Sequence, residues 1–397
     1  MSPNSYPPAR RGTIIVWGVL ASSPFGGMTW QVLHHLAGIR RLGFDVWYVE
    51  DSDTPVYDPV TYWPTPEYAV NVAYLARQME SIGLSERWIF RPPGISDACL
   101  GGRDLAGLQQ LYREADAVLN LCGSHALRPE HREIRCLVYL ETDPVGNQVR
   151  VASGDTRTIE MLAPYHHIFS YGENLGAPDC GVPVERFCWR PTRPPVCLDW
   201  WTTSAPPAAG VVLTTVANWK DAEKDIVWQG EIYRWSKHYE FERFITLPSR
   251  AALPLELAIG RISEAEQDHL RNHGWRLVPS VRVAEPSAYR AYIRASGGEF
   301  TVAKDQNIRL RSGWFSDRSV CYLAAGRPVI TQDTGFGNVL PTGAGLFAFA
   351  TAEEALEAME IVAHDYAGQS AAARDIAQEY FAAERVLGDV LRRVGLL

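Results

Sequence analysis

The sequence of 397 residues has no excess of basic residues. Its 38 lysines and arginines stand against 46 aspartates and glutamates, which gives a formal net charge of −8. A groove that binds nucleic acid needs a surplus of Lys and Arg on one face, because these side chains neutralise the phosphates. The charge therefore argues against nucleic acid as a partner and leaves room only for a local basic cleft.

Paired cysteines are also missing. The seven cysteines are scattered without a CxxC pair, and the closest group, Cys180, Cys188 and Cys197, has no metal-ligand spacing. This usage is typical of reduced thiols in a cytoplasmic protein and not of a disulfide framework or a zinc site. We predict a cytoplasmic location and no metal site.

Two further absences narrow the function. No apolar run approaches the roughly 18 residues that a membrane span needs, so we predict a protein that does not cross a membrane. The first predicted strand, at 13–20, is not followed by a full GxGxxG fingerprint. A dinucleotide oxidoreductase is therefore disfavoured.

Alternating strand and helix patterns fill most of the chain. Segment 13–20 predicts a buried strand, 28–43 a helix and 44–51 a second strand, an order that indicates a parallel sheet. Prolines, tryptophans and small residues interrupt the pattern at 188–210. Strand patterns resume after this break at 211–219, 241–248, 275–280, 297–304 and 327–333.

These patterns predict two Rossmann-like, doubly wound α/β domains in tandem, at 1–200 and 210–375, with a cleft between them. Segment 376–397 is predicted to be a C-terminal helix that packs back toward the first domain. Ligands of open parallel sheets bind beyond the carboxyl ends of the strands. The interdomain cleft is therefore the expected site.

The second domain carries a candidate anion site at the start of a predicted helix. Ser316 is a good N-cap, and the free amides of the helix that follows favour a diphosphate. Arg318 opposes the helix dipole, which is easier to explain if an anion binds there, although a Ser-Asp cap alone is commonly structural. Further candidates around this helix are Lys304, Arg309, Arg311, Asp317 and Gly335.

The first domain carries the candidates for acid-base chemistry. Asp143, in the segment ETDP, and Glu173, in YGEN, follow predicted strands, where a carboxylate can accept a proton from a hydroxyl nucleophile. Asp143 is the preferred base, although the residue before Pro144 can also serve only to turn the chain. Candidates for binding an acceptor are Trp30, His125 and Glu141.

A glycine loop joins the first strand to the first helix. Gly26 and Gly27 would let backbone amides approach a ligand closely. Any strand-helix-strand unit needs such a turn, so the loop alone also fits a purely structural role.

Two long segments resemble glycosyltransferases of the GT-B fold. The segment FGGMTWQVLHHLAGIRRLGFDVWYVED is similar to the opening of their first domain, and WFSDRSVCYLAAGRPVITQDTGFGNVLPTGAGLFAF to their donor domain. The resemblance implies a nucleotide-sugar donor of the UDP, GDP or TDP type in the second domain and a small hydroxylated acceptor in the first. It implies no cofactor besides this donor and no bound metal.

The resemblance also assigns roles to single residues. Ser316, Asp317 and Arg318 would lie at the donor diphosphate. Residues expected around it are Lys304, Arg311, Gly335, Gly26 and Gly27. Retaining relatives carry two glutamates eight positions apart, where this chain has Gly313 and Cys321. Inverting, base-assisted transfer is therefore favoured.

Other functions fit the same pattern. A nucleotide-sugar epimerase of the same fold would need acids in both halves of the cleft. A non-catalytic partner that binds sugar nucleotides would need only the donor site. The chain is expected to act as a monomer or a homodimer.

Overall fold

The computed structural model describes residues 11–58, 61, 63–95, 97–203, 210–221 and 224–397. Its first half is built on a sheet of eight strands. The strands of this half are β1 (Thr13–Trp17), β2 (Asp45–Glu50), β3 (Val56–Tyr57), β4 (Pro64–Thr65), β5 (Trp88–Phe90), β6 (Leu100–Gly101), β7 (Ala117–Leu121), β8 (Leu137–Glu141), β9 (His167–Ser170) and β10 (Trp189–Pro191). Its helices are α1 (Gly26–Arg41), α2 (Ala69–Ser81), α3 (Leu105–Glu114), α4 (Gly146–Ala152), α5 (Thr156–Leu162) and α6 (Leu198–Trp201).

The strand order of the first sheet is β10-β9-β8-β7-β1-β2-β5-β6, and β3 and β4 form a separate hairpin. Every neighbouring pair in the sheet is parallel except β5 and β6. Parallel sheets are covered on both faces, so their strands are apolar throughout. The central strand β1 follows this rule, because Ile14, Ile15, Val16 and Trp17 are fully buried.

The second half contains a sheet of six parallel strands in the order β15-β14-β11-β16-β17-β18. The strands of this half, including the hairpin β12-β13, are β11 (Leu213–Asn218), β12 (Ile226–Trp228), β13 (Glu231–Tyr233), β14 (Leu255–Gly260), β15 (Arg276–Pro279), β16 (Gly298–Thr301), β17 (Val329–Gln332) and β18 (Leu346–Phe349). Its helices are α7 (His238–Arg243), α8 (Glu264–Asn272), α9 (Pro286–Ala295), α10 (Asp305–Arg309), α11 (Asp317–Ala324), α12 (Ala352–His364), α13 (Tyr366–Ile376) and α14 (Ala383–Arg393).

The last helix, α14, packs on α1 of the first half. A Cβ added at Gly38 in α1 would lie 2.5 Å from Leu387 Cδ1, so glycine permits this close approach. Val196 also exchanges backbone hydrogen bonds with Phe381 and Ala383 just before α14. The predicted fold class of two doubly wound domains with a returning C-terminal helix is therefore confirmed. The predicted break between the domains, at 188–210, contains the short strand β10 and the short helix α6, and its residues 204–209 lie outside the described part of the chain.

One predicted strand is wrong. Residues 241–243 are the end of α7, residues 244–246 form a turn, and a 3-10 turn follows at Leu247–Ser249. Phe241, Phe244 and Leu247 are all buried, and their spacing of three is that of one helical face. The strand β14, which pairs with β11, lies in a segment for which no strand was predicted.

Candidate active site

Asp143 lies at the interdomain cleft, directly after β8. Its Oδ1 is 2.5 Å from Nζ of Lys304, which follows β16 in the other sheet. The Asp143 side chain is 43% exposed, so it is open to a ligand entering the cleft. Desolvation alone would raise the pKa of Asp143, but Lys304, and beyond it Lys224 and Lys237, outweigh this effect and lower it.

The same part of the cleft holds a group of lysines, Lys224, Lys237 and Lys304. The Lys304 ammonium lies 3.2 Å from the centroid of the Trp235 ring, and that of Lys224 lies 4.7 Å from it, distances at which cation-π attraction operates. Lys237 lies 5.6 Å from the centroid of the Trp314 ring. Burial, followed by repulsion from Arg318 and Lys304, lowers the pKa of Lys237 well below its ordinary value.

Lys237 is a buried cation with two further cations, Arg318 and Lys304, close to it. Among the described residues, no carboxylate lies within ion-pair distance of its ammonium. An anionic ligand would supply the missing negative charge. The lysine group is therefore the best candidate for a phosphate-binding site.

We expect Lys237→Met to weaken binding of UDP by about 10- to 100-fold, because a hydrogen bond to a charged group contributes about 1.5–3 kcal/mol. Isothermal titration calorimetry measures this change. Arg271→Met is the control, since this exposed arginine on α8 pairs with its neighbours Asp268 and Gln267 on the same helix. Equal UDP affinity in Lys237→Met and the wild type would show that the phosphate does not bind at the lysine group.

Sequence reasoning missed Lys224 and Lys237. Composition contained a signal that could have found them: only four of the 38 basic residues are lysines, and three of the four lie in this group. An exposed surface of ordinary composition would spread lysine more evenly. Their convergence depends on the fold, because Lys304 is distant in sequence from the other two.

Arg318 has a different role from the free cation that the sequence predicts. Its guanidinium pairs with Glu299 and donates to Val216 O at 2.9 Å and to Thr301 Oγ1 at 3.0 Å. Glu299 is fully buried, and the Arg318 side chain is only 11% exposed. Arg318 therefore neutralises a buried carboxylate below the cleft.

The helix start at α11 also differs from the prediction. Ser316 is the N-cap residue, but its side chain makes no capping hydrogen bond. The adjacent Asp317 puts a carboxylate at the same helix end, and desolvation raises the pKa of that carboxyl group. When it is ionised, the Asp317 carboxylate repels an anionic ligand at the N-terminus of α11.

The glycine loop meets α11 across a very small cavity. Gly27, Asp317 and Arg318 line this cavity, which has a volume of about 10 Å³, enough for about one water. Gly26 N donates to Ala284 O at 2.7 Å, and a Cβ there would lie 3.0 Å from Tyr289 Cβ. In this arrangement the backbone N–H of Gly26 is engaged by Ala284, so it is not available to bind a phosphate.

Arg311 and Gly335 lie where the domains contact each other. Arg311 pairs with Asp179 at 2.8 Å and with Asp333 at 2.9 Å. Gly335 has a φ of +89°, and a Cβ there would lie 3.0 Å from Asn174 Nδ2. Arg309 pairs instead with Glu231 and Asp305. Arg309 and Arg311 are therefore both engaged by carboxylates of the protein.

Glu173 and Trp30 are both engaged by protein partners. Arg193 donates two hydrogen bonds to Glu173, at 2.6 and 3.0 Å, and leaves its side chain 8% exposed. Trp30 is buried, and its Nε1 donates to Pro286 O at 2.9 Å. Neither side chain is as open to a ligand as Asp143.

His125 lies in a buried network and not at the cleft carboxylate. Its Nε2 accepts the backbone N–H of Asp51 at 3.0 Å, and its ring stacks on Trp17 at 4.8 Å between centroids. Burial lowers the pKa of His125 to about 3, so this ring is neutral at physiological pH.

Glu141 is buried at the end of β8. It accepts hydrogen bonds from Gln148 at 2.6 Å, from Ser170 at 2.7 Å and from Asn147 at 3.0 Å. Burial outweighs these bonds and raises the pKa of Glu141 to about 7. The side chain is therefore placed to support the Asp143 loop and not to contact an acceptor.

The raised pKa of Glu141 predicts a pH-dependent stability. Its protonated form stabilises the fold at low pH, and this contribution disappears as pH rises from about 4.5 through about 7. We expect a loss of up to about 3 kcal/mol in the free energy of unfolding between pH 4.5 and 8. Urea denaturation at both pH values measures it. Glu141→Gln should remove this part of the pH dependence, and an unchanged pH dependence in that variant would contradict the prediction.

Within the described residues, no group of three or more His, Cys, Asp or Glu side chains is arranged to hold a metal ion. The same residues include no helix with the length and apolar character needed to cross a membrane.

Neither a protein-family model nor a curated protein sequence matches the chain. Solved structures match it along nearly its whole length. An alpha-glucosyltransferase (AGT) in complex with UDP has a TM-score of 0.58 at 9% identity, covering 96% of this chain and 99% of that one. Anabaena HepE in complex with UDP-glucose has a TM-score of 0.56 at 11% identity, covering 97% and 100%.

A further alpha-glucosyltransferase structure, with UDP and a 13-mer DNA containing an A:G mismatch, has a TM-score of 0.57 at 10% identity, covering 96% and 99%. These proteins are glycosyltransferases of the GT-B fold. At such low identity the similarity shows the fold, and the chain therefore has the GT-B fold.

Proposed function

We propose that the protein is a glycosyltransferase that moves a sugar from a nucleotide-diphosphate sugar to a hydroxyl group of a small acceptor. The observation that carries the proposal is the lysine group beside the open carboxylate of Asp143 in the interdomain cleft. A diphosphate leaving group needs cations, and a hydroxyl nucleophile needs a base. The lysines and the carboxylate lie side by side, in a fold that is also found in proteins solved with UDP or UDP-glucose.

The donor diphosphate binds to Lys237, Lys304 and Lys224. Their ammonium groups stabilise the negative charge that develops as the bond between the sugar carbon and the phosphate oxygen breaks. The reaction is therefore proposed to be independent of a metal. UDP is the preferred nucleotide, because similar solved structures contain UDP or UDP-glucose.

Asp143 acts as the general base. When the diphosphate attracts Lys304, the ion pair of Lys304 with Asp143 weakens, and the pKa of Asp143 rises from its lowered value. The acceptor oxygen then forms its bond to the anomeric carbon, its proton passes to Asp143, and the electron pair of the broken bond leaves with the nucleotide diphosphate. Attack on the face opposite the leaving group inverts the anomeric configuration.

A small acceptor is favoured over DNA. One of the similar structures was obtained with DNA, but the net charge of −8 of this chain opposes binding to a polyanion. The lysines that are present are expected to be engaged by the donor.

A screen of UDP, GDP, TDP and their sugars by thermal shift tests donor binding, and release of the nucleotide diphosphate with added hydroxyl acceptors tests transfer. We expect stabilisation by UDP and acceptor-dependent release of UDP. Conversion of the sugar nucleotide to an epimer would instead indicate an epimerase. Binding without turnover across the acceptor panel would indicate a non-catalytic partner.

A further inference from the structure

The chain has an unusual backbone conformation two residues after Asp143. Val145 has φ +88° and ψ −51°, a region that costs about 1–3 kcal/mol and is rare for a β-branched residue. Such a conformation persists only when surrounding contacts enforce it. The turn that carries Asp143 is therefore held in place by its neighbours.

A chain of two hydrogen bonds links this turn to Glu141. The backbone N–H of Val145 donates to Gln148 Oε1 at 2.7 Å, and Gln148 Nε2 donates to Glu141 Oε2 at 2.6 Å. Glu141 and Gln148 are 3% and 1% exposed, so water does not replace these bonds. The Gln148 amide serves both partners in one orientation only, because a flip would turn its NH₂ group toward the Val145 N–H.

The other domain holds the same turn from the opposite side. Gln306 Nε2 donates to Pro144 O at 3.4 Å, and the fully buried Val145 belongs to a small apolar cluster with Leu310 and Tyr233. Lys304 binds Asp143 itself. The carboxylate thus extends from a turn that both domains constrain.

We propose that Glu141 is the residue that positions the base, acting through Gln148 on the strained turn at Val145; this inference rests on the proposed function. Glu141 does not touch the reacting atoms. It keeps the Asp143 carboxylate at a fixed height in the cleft, and a displacement of about 1 Å can lower a rate by about 10²-fold.

An exchange of side chains tests this role. In Glu141→Gln, the new NH₂ group lies among hydrogen-bond donors. The hydrogen bond that Gln148 donates to the side chain at position 141 is therefore weakened. In Gln148→Glu, two carboxyl groups face each other. In the double variant E141Q/Q148E, the new amide at position 141 donates to the new carboxylate at position 148, whose second oxygen again accepts from the Val145 N–H.

The assay is release of UDP from UDP-glucose, with water as acceptor. We expect each single variant to lose about 10²-fold in kcat with KM for UDP-glucose within about twofold of the wild type, and the double variant to recover most of the loss. If a single variant does not fold, Val145→Gly tests the turn directly. Glycine adopts φ +88° without strain but other conformations equally well, and it lacks the side chain that packs with Leu310 and Tyr233. The turn is then held less tightly, and kcat is expected to fall with KM preserved. Wild-type kcat in the single variants, or in Val145→Gly, overturns the proposal, as does a double variant that folds but does not recover.

Asp143→Asn in the same assay separates this proposal from the proposed function. Full activity of Asp143→Asn would refute the base and not the network, whereas loss in Asp143→Asn with full activity in Glu141→Gln would refute the positioning role alone. A ¹³C NMR titration of the Asp143 carboxyl group tests the positioning role of Glu141 without an activity assay. We expect its pKa to rise in Glu141→Gln, as its contact with Lys304 loosens, and to return in E141Q/Q148E; an unchanged titration in Glu141→Gln overturns the proposal.

Discussion

Replacing Asp143 by asparagine is expected to lower kcat by about 10²–10⁴-fold, the range that general-base catalysis contributes. Asparagine keeps the shape of the side chain but cannot accept the proton of the acceptor hydroxyl. UDP affinity should stay the same or increase, because the substitution removes the carboxylate that competes with the diphosphate for Lys304. Steady-state kinetics together with calorimetry measure both quantities.

The matched control for this experiment is Asp179→Asn. Asp179 also pairs with a cation of the other half of the molecule, Arg311, and its side chain is 42% exposed, close to the 43% of Asp143. Loss of an interdomain ion pair alone would affect both variants equally, whereas loss of a base affects only Asp143→Asn. A wild-type kcat in Asp143→Asn would exclude Asp143 as the base. Asp317, whose pKa is raised, would then be the next candidate.

Replacing Arg318 by alanine is expected to lower the free energy of unfolding by about 3–5 kcal/mol, because it leaves the buried carboxylate of Glu299 without its cation. Urea denaturation at neutral pH measures the loss. The effect on the donor site would then be secondary to damage at the carboxyl ends of β11 and β16, where Arg318 contacts Val216 and Thr301.

A second substitution separates the two roles of Arg318. In the double variant R318A/E299Q the buried charge is gone, so most of the lost stability should return. UDP affinity in this stabilised background then reports what Arg318 contributes to the donor. If Arg318→Ala alone unfolds at the same urea concentration as the wild type, the ion pair with Glu299 does not carry the stability assigned to it.

Local structure followed closely from local sequence. The strand predicted at 13–20 is present as β1 (Thr13–Trp17), and the helix predicted at 28–43 as α1 (Gly26–Arg41). The helix predicted to begin at Asp317 is α11. Each depends on a hydrophobic period contained in its own residues. The wrong prediction of a strand at 241–248 also arose from reading the local hydrophobic pattern. Its apolar residues fit a strand and a helical face alike, and packing of Phe241 and Phe244 into the core decided for the helix.

Element order and the ends of strands can be read along the chain, and they were enough to predict the two tandem sheets, the position of the cleft and Asp143 as the preferred carboxylate. Which charges face each other depends on the folded arrangement. Lys304 meets Asp143 across 161 positions, Glu299 engages Arg318, and Lys237 is left without a carboxylate among the described residues. Electrostatic interactions act through space, and their strength depends on burial, so neither the partner nor the sign of the unbalanced charge can be read from neighbours along the chain.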